Sequence, residues 1–493
     1  MKKLIQAGGV SAILLTAGTM APAQEVRLFS TDGLVDFTGT LEDFDGDMYA
    51  LRTSMGLINV PAGEVTCVGD ACPSVNEVTS TFTITGAPSI QRFVMPELLD
   101  GYSLEVDTDI SRGNAASGAL LFELLSFEGD LVADVELTES SAAEAFADLA
   151  SGAASLGITT RRITDREAAA LTGRDRAALD NLDLEHLIGL DGLVAVIGSG
   201  VEIESLTMDQ MTEILVGSVT NWNEVGGPDL PISAFTRELG SDVRSMVDLM
   251  LMEPRNAVVG ANVIGVDSNE GLLSAVDTFP NSIGIASISA LGDVSGVAVP
   301  DACGVPISPS DFSVRTGAYP LSAPVFMYEA PGQLSVHGRG LVEFARSAQG
   351  QQVISRTGYI DLSTKPAPDA PAPVAGSVPA TAERLTTAFT LDTGGRLDKR
   401  DEIEVQNLAQ YIRSGRANGA QVTLVGLAET SSEAVQAARL VLNQLFARNP
   451  DVEQQLSVGF GLEGVTLAQS NVCLEQVGAT PARVQVWVHP FES

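Results

Sequence analysis

Phe235-Thr-Arg-Glu-Leu-Gly-Ser-Asp-Val243 is the stretch from which the rest of the chain is read. It closes the apolar run Leu230-Pro-Ile-Ser-Ala-Phe235, and past Asp242 the residues Met246, Leu249 and Met250 recur at helical spacing. The pattern is a strand, a short turn at Gly240 and a helix start. Such a junction aims backbone N–H groups and the positive end of the helix at one point. Arg237 adds a planar fork of donors and Ser241 a hydroxyl. Together these groups can hold a tetrahedral oxyanion with no metal and no cofactor. The ordinary alternative is a strand–turn–helix carrying a surface arginine.

Outward from this stretch, Leu206 to Gly226 reads LTMDQMTEILVGSVTNWNEVG, with Thr220-Asn-Trp222 near its end. Further on come Tyr319-Pro-Leu321 and Val325-Phe-Met-Tyr328. These segments, with Arg-x-x-Gly-Ser at Arg237–Ser241, resemble the periplasmic phosphate-binding proteins, the soluble receptors of phosphate ABC importers. The resemblance runs from Thr79 to about Ser363. It implies an α/β, two-lobed binding protein of type II that closes on phosphate or a related oxyanion and hands it to an ABC permease. It also implies that hydroxyls and amides from four loops hold the anion: Ser89 and Ile90, Ser140 and Ser141, Thr159 and Thr160, and Arg237 with Ser241. The chain departs from that pattern where Asp242-Val243 follows the Ser, where Leu239 replaces an acid, and where the third loop lacks a carboxylate. Asp242 then either repels the anion or serves as the missing proton acceptor.

Composition sets the frame for this reading. The 493 residues suit two to four domains. Lys2 and Lys3, the apolar run Val10–Ala17 and Ala21-Pro-Ala23 read as a cleavable secretory signal over residues 1–23, without a lipidated Cys. No later run is apolar and long enough to span a membrane, so the mature protein is expected in the periplasm. Net charge is −35, and −37 once the leader with its two Lys is removed. That charge disfavours nucleic acid and anionic membranes as partners, so anion capture has to rest on local dipoles and a few arginines.

Export permits disulfides. Cys67-Val-Gly-Asp-Ala-Cys72 can close a small loop, while Cys303 and Cys473 stay open between a pair and two thiols. Three widely separated His give no metal site.

Residues 24–78 show short alternating runs between Asp-Gly and Met-Gly turns, which predicts a small β-rich domain. Strand, helix and strand then alternate through 79–363. The expected strands are Ser80–Thr85, Leu131–Leu137, Ala154–Ile158 and the nearly continuous apolar run Leu187–Ile197, with one helix over Ile90–Tyr102. The second lobe is expected over Gly198–Val276, with the return crossing through Phe279–Ala286. Arg161, Arg162 and Arg244 are further candidates for the rim. Residues 364–382 form a Pro/Ala-rich linker.

The block 383–493 resembles an OmpA-like α+β peptidoglycan-binding domain, on Leu397-Asp398, Val422–Ala428, Ala438-Arg439 and Arg483–Val488. The resemblance puts Glu429 and Arg439 on the wall peptide. Against the receptor stands a cell-envelope structural or wall-anchoring protein whose lobes no longer serve transport. A hydrolase is disfavoured, because His186, His337 and His489 lie in separate contexts and no Gly-x-Ser-x-Gly elbow is present.

Overall fold

In the computed structural model, residues 25–490 are described except 31–35, 45–47, 54–55, 62–64, 70, 73–78, 116, 175, 177–178, 180–183, 293, 302–303, 369, 371–377, 393–394, 398, 418–419, 429, 453–460 and 467–481. The leader, Cys303, Cys473 and Glu429 fall outside these residues. The chain divides into two compact units, residues 1–74 and 75–493.

The alternating runs of the first unit form strands β1 (Glu25–Phe29), β2 (Asp36–Phe44), β3 (Met48–Thr53), β4 (Gly56–Pro61) and β5 (Thr66–Val68). They pair antiparallel in the order β4-β3-β2-β1-β5. Every second residue turns inward, so Val26, Leu28, Tyr49, Leu51 and Val60 make the core. Cys67 and Cys72 form a disulfide at the end of β5.

In the second unit the chain runs through β6 (Ser80–Gly86), α1 (Pro88–Phe93), α2 (Met95–Glu105), β7 (Asp109–Asn114), β8 (Leu120–Leu125), β9 (Leu131–Glu139), α3 (Ala142–Ser151), β10 (Leu156–Thr159), α4 (Asp165–Thr172) and β11 (Glu185–Ile197). The single helix expected at Ile90–Tyr102 is broken in two at Val94, because Pro96 lacks an N–H for the helical ladder. Next come α5 (Met208–Val216), β12 (Ser233–Arg237), α6 (Asp242–Val247), β13 (Ile264–Val266), α7 (Asn269–Thr278), β14 (Ser282–Ser287), the short pair β15 (Val299–Pro300) and β16 (Pro306–Ile307), α8 (Asp311–Arg315) and β17 (Ser322–Glu329).

One mixed sheet runs β13-β12-β14-β11-β17-β10-β6-β9-β8-β7. The long strand β11 joins its two halves: Glu185–Gly192 pairs with β17, and Leu193–Ile197 pairs with β14. In the first lobe β9, β6 and β10 are parallel, and in the second β14, β12 and β13 are parallel. The expected return crossing at Phe279–Ala286 is corrected. That segment is β14, inside the second lobe, and the return is β17. A continuous apolar run reads the same whether a strand crosses or stays, and only pairing decides.

Helices α9 (Val336–Arg346) and α10 (Ala348–Arg356) cover the first lobe. The last block then folds as β18 (Glu383–Thr390), α11 (Lys399–Arg413), β19 (Ala420–Ala428), α12 (Ser431–Arg448), β20 (Gly461–Thr466) and β21 (Arg483–Pro490), with sheet order β18-β21-β19-β20.

The start of the expected linker is tied down. Pro366 bridges to Leu385, and the hydroxyls of Thr364 and Thr387 lie 2.6 Å apart. Arg315 on α8 is buried at 1% exposure against Glu404 on α11 at 2%, 3.0 Å apart, so the last block is docked on the two-lobed part.

Candidate functional site

Parallel neighbours end at the same edge of a sheet, and loops leaving their C-terminal ends converge. In the first lobe β6, β9 and β10 deliver Ala87–Ile90, Ser140–Ser141 and Thr159–Thr160; in the second, β12 delivers Arg237–Asp242. Two cavities flank their meeting point. One, about 290 Å³, is lined by Ser140, Ser141, Thr159, Thr160 and Asp242 among others. The other, about 270 Å³, includes Ser89, Arg237, Ser241 and again Asp242 in its lining. Ile90 is the exception among the expected ligands: its side chain is fully buried in the first-lobe core.

Glycine makes the first loop possible. A Cβ on Gly86 would stand 1.9 Å from the Ile158 carbonyl oxygen, and Gly86 has φ +142°. Its carbonyl accepts from Ser140 N at 2.9 Å, and Ala87 N donates to the Ile158 oxygen at 2.9 Å, so three loops are registered together.

Several expected donors already have internal partners. Ser141 caps α3 in a reciprocal pair with Glu144, and Ser140 meets Thr85 at 2.8 Å. Thr159 donates to the Arg161 carbonyl at 2.8 Å. Ser241 caps α6, accepting from Arg244 N at 3.1 Å and donating to the Glu238 carbonyl at 2.9 Å.

Arg237 folds onto the loop after the neighbouring strand. It donates to the Val266 carbonyl at 3.1 Å, the Asp267 carbonyl at 2.8 Å and Asn269 Oδ1 at 2.7 Å. The rim arginines are paired: Arg161 with Glu167 at 2.6 Å, Arg162 with Glu185 at 2.6 Å and Arg244 with Asp248 at 3.2 Å.

Asp242 lies between the two cavities, 8% exposed, and accepts a hydrogen bond from Ser89 Oγ across the lobes. The Tyr359 hydroxyl sits 2.8 Å from Ser89 Oγ and also bonds Ser289. Ser287 donates to both oxygens of Asp191, at 2.8 and 2.6 Å, and Ser289 N donates at 3.1 Å. A hydrogen-bonded chain therefore leads from Asp191, on the strand shared by the lobes, to Asp242 in the cleft. Burial pushes the Asp191 carboxyl up to about 6, opposed by the Ser287 and backbone donors and reinforced by the charge of Asp242. Burial, and then the charges of Asp191 and Asp242, push the Tyr359 phenol well above its ordinary value.

Sequence reasoning missed Asp191, Ser287, Ser289 and Tyr359. An acid inside the apolar run Leu187–Ile197 was the available signal for Asp191; Tyr359 offered none. Among the described residues no group of His, Cys, Asp or Glu is arranged to hold a metal, and no helix is long and apolar enough to cross a membrane.

Residues 111–349 match the PBP superfamily domain. The phosphate-binding protein PstS of Bacillus subtilis is 22% identical over 234 residues, 47% of this chain and 72% of that protein. PstS of Borreliella burgdorferi is 20% identical over 185 residues, 36% of this chain and 66% of that one. Among solved structures, an ABC-type phosphate transport receptor from Vibrio cholerae aligns with a TM-score of 0.44 at 22% identity, over 57% of this chain and 99% of its own. PstS from Borrelia burgdorferi aligns with a TM-score of 0.42 at 16% identity, over 57% and 98%.

Proposed function

We propose that this protein is an exported solute receptor that closes its two lobes on a tetrahedral oxyanion, phosphate first, and passes it to an ABC permease. The observation that carries the reading is convergence. Ser89, Ser140, Ser141, Thr159, Thr160, Arg237 and Ser241 come from four loops and line adjoining cavities in one interlobe cleft. The names of the PstS relatives point to phosphate among the oxyanions.

Asp242 is the acceptor that favours a protonated oxyanion. Hydrogen phosphate can donate to it, whereas sulfate has no proton to give and would face its negative charge. Arg237 turns from the Val266 and Asp267 carbonyls toward the ligand as the lobes close. The leader at 1–23 directs export, and the block 383–493 tethers the receptor to peptidoglycan through Arg439, which is exposed on α12, with Glu429.

The second reading, an envelope protein whose lobes no longer serve transport, draws on the internal partners of Arg237 and the rim arginines. Melting the full chain with phosphate, arsenate and sulfate separates the two. A ligand at a hundred times its Kd adds about 2.7 kcal/mol to the native state, several degrees in Tm. Phosphate and arsenate are expected to raise the Tm, and Arg237→Ala or Ser89→Ala to remove the rise. A Tm indifferent to every oxyanion supports the second reading.

A further inference from the structure

Behind the interlobe cleft lies a chain of polar groups that a ligand does not touch. Its members are Asp191 on β11, Ser287 at the end of β14, Ser289 in the turn that follows, and Tyr359 after α10; all but Ser289 are buried. Leu190 and Ile360 exchange hydrogen bonds at 2.9 Å in each direction, which lashes the Tyr359 segment to the strand shared by the lobes. Ser89, at the near end, is the hydroxyl of this chain that lines the cleft.

A hydroxyl has one proton to give, so each link constrains the next. Ser89 gives its proton to Asp242, and its contact with the Tyr359 hydroxyl at 2.8 Å is then filled by the phenol proton. Tyr359 can only accept from Ser289. Ser289 Oγ meets Ser287 Oγ and lies 3.3 Å from Asp191 Oδ2, while Ser287 donates to that oxygen at 2.6 Å. Ser89, Tyr359, Ser289 and Ser287 thus hold one proton fewer than the links they span between two carboxylates. An ionised Asp191 draws the Ser287 and Ser289 protons away from the cleft. A protonated Asp191 supplies the missing proton and turns every hydroxyl toward the cleft.

Among the described residues no cation pairs with Asp191. It faces Ser287, Ser289 and the Gly192 N–H, with Tyr359 and the charge of Asp242 beyond them. Asp242 has Ser89 as its donor, and Arg92, paired with Glu139 at 2.6 Å, is the cation that feels its charge. The cleft's remaining charged groups, among them Arg161, Arg237, Glu238 and Asp248, are the same in every variant compared below.

We propose that Tyr359 is a positioning residue of the interlobe site: it passes the hydrogen-bond direction from Asp191 to Ser89, so that the site takes its oxyanion together with a proton from solvent held on Asp191. This rests on the interlobe reading above and adds its regulation. When hydrogen phosphate gives its own proton to Asp242, Ser89 is released to donate to the anion, and the filled chain keeps it pointing there. Charge acts in the same sense, because a neutral Asp191 removes a buried negative charge from behind the anion. A bound anion favours protonated Asp191, and by linkage protonation favours binding. Burial pushes the Asp191 carboxyl up to about 6, so the gain is full below that value and is lost as pH rises above it.

The test is calorimetry with phosphate on the full-length protein at pH about 5 and about 8, for the parent, Asp191→Asn, Tyr359→Phe and the double variant. Asparagine donates as a protonated carboxyl does and stands for the neutral form at both pH values. Asp191→Asn is expected to match the parent at the lower pH and to bind at least about fivefold tighter at the higher. The ionisation of phosphate itself is common to all and drops out of the ratio. Tyr359→Phe is expected to bind more weakly than the parent, and in its background Asp191→Asn is expected to bring less than half of that gain. A packing role for the ring would leave the gain in place. Melting of each variant without ligand checks that it folds. An equal gain from Asp191→Asn with or without the Tyr359 hydroxyl overturns the proposal, as does a ratio between parent and Asp191→Asn that ignores pH. A parent that binds no oxyanion at either pH overturns the interlobe reading itself and this inference with it.

Discussion

Asp242 in the cleft and Asp191 buried behind it are two carboxylates at the ends of one hydrogen-bonded chain, and each makes its own prediction. Asp242 accepts from Ser89, the donor that the first loop would otherwise offer a bound oxygen. Asp242→Asn keeps a side chain of the same shape and removes the fixed negative charge. The expected outcome is at least about a tenfold loss of preference for phosphate over sulfate, or about 1.4 kcal/mol, read by competitive calorimetry. An unchanged ratio would exclude Asp242 as the discriminating group.

Asp191 acts on stability. Its carboxyl is raised from 3.8 to about 6, chiefly by burial, so between those values the folded protein binds a proton that the unfolded chain has released. Stability therefore falls as pH rises from about 4 to about 6 and levels off above, by up to about 3 kcal/mol. Denaturant melts of the parent and Asp191→Asn across this window are expected to diverge toward neutral pH, with the variant losing that slope.

At the level of elements, the cleft depends on where parallel strands stop. Gly86 ends β6 with its missing Cβ pressed against the Ile158 carbonyl. Gly86→Ala is expected to force β6 and β10 apart, lower the Tm by several degrees and remove the phosphate-induced shift, since the loops carrying Ser89 and Ser140 both hang on that residue. Normal stability with intact ligand response would show that the loops are registered by something else. Element types were legible from periodicity: the alternating runs of residues 24–78, the strand at Leu187–Ile197 and the helix after Ser241. The break at Val94 was missed in favour of one helix over Ile90–Tyr102, although Pro96 stands in the sequence as its signal. The hairpin of β7 and β8 was not legible, because Arg112-Gly113-Asn114 reads as a turn until a neighbouring strand pairs with it.

For the whole molecule, the decisive contact is the one between the two-lobed part and the last block. Arg315 donates to the Asp361 carbonyl at 3.2 Å and to the Leu362 carbonyl, two and three residues after Tyr359, and to Glu404 of α11. Arg384 lies over the Phe312 ring at 4.6 Å, and Ile403 of α11 packs on the core that contains Leu190 and Leu193. Glu404→Ala leaves a buried guanidinium without its carboxylate, a loss of about 3–5 kcal/mol. It is expected to split the unfolding of residues 75–493 into two calorimetric transitions where the parent shows one. A single unshifted transition would mean the docking rests on the apolar contacts alone.

Sequence alone determined which residues carry hydroxyl and guanidinium donors at the strand ends and which loops hold them, because residue type and distance from a strand end are local properties. It also carried the alternation of strands and helices and the cysteine pair at 67 and 72, both set by short-range pattern. Only the tertiary structure decided how those donors are engaged. Whether Arg237 faces a ligand or a neighbouring carbonyl, whether Ser141 caps a helix, and whether residues 364–367 hang free or join a strand all depend on contacts between parts of the chain far apart in sequence. Burial decided the rest: Asp191, Tyr359 and Glu404 acquire their properties from the surroundings that exclude water from them, and no linear spacing encodes those surroundings.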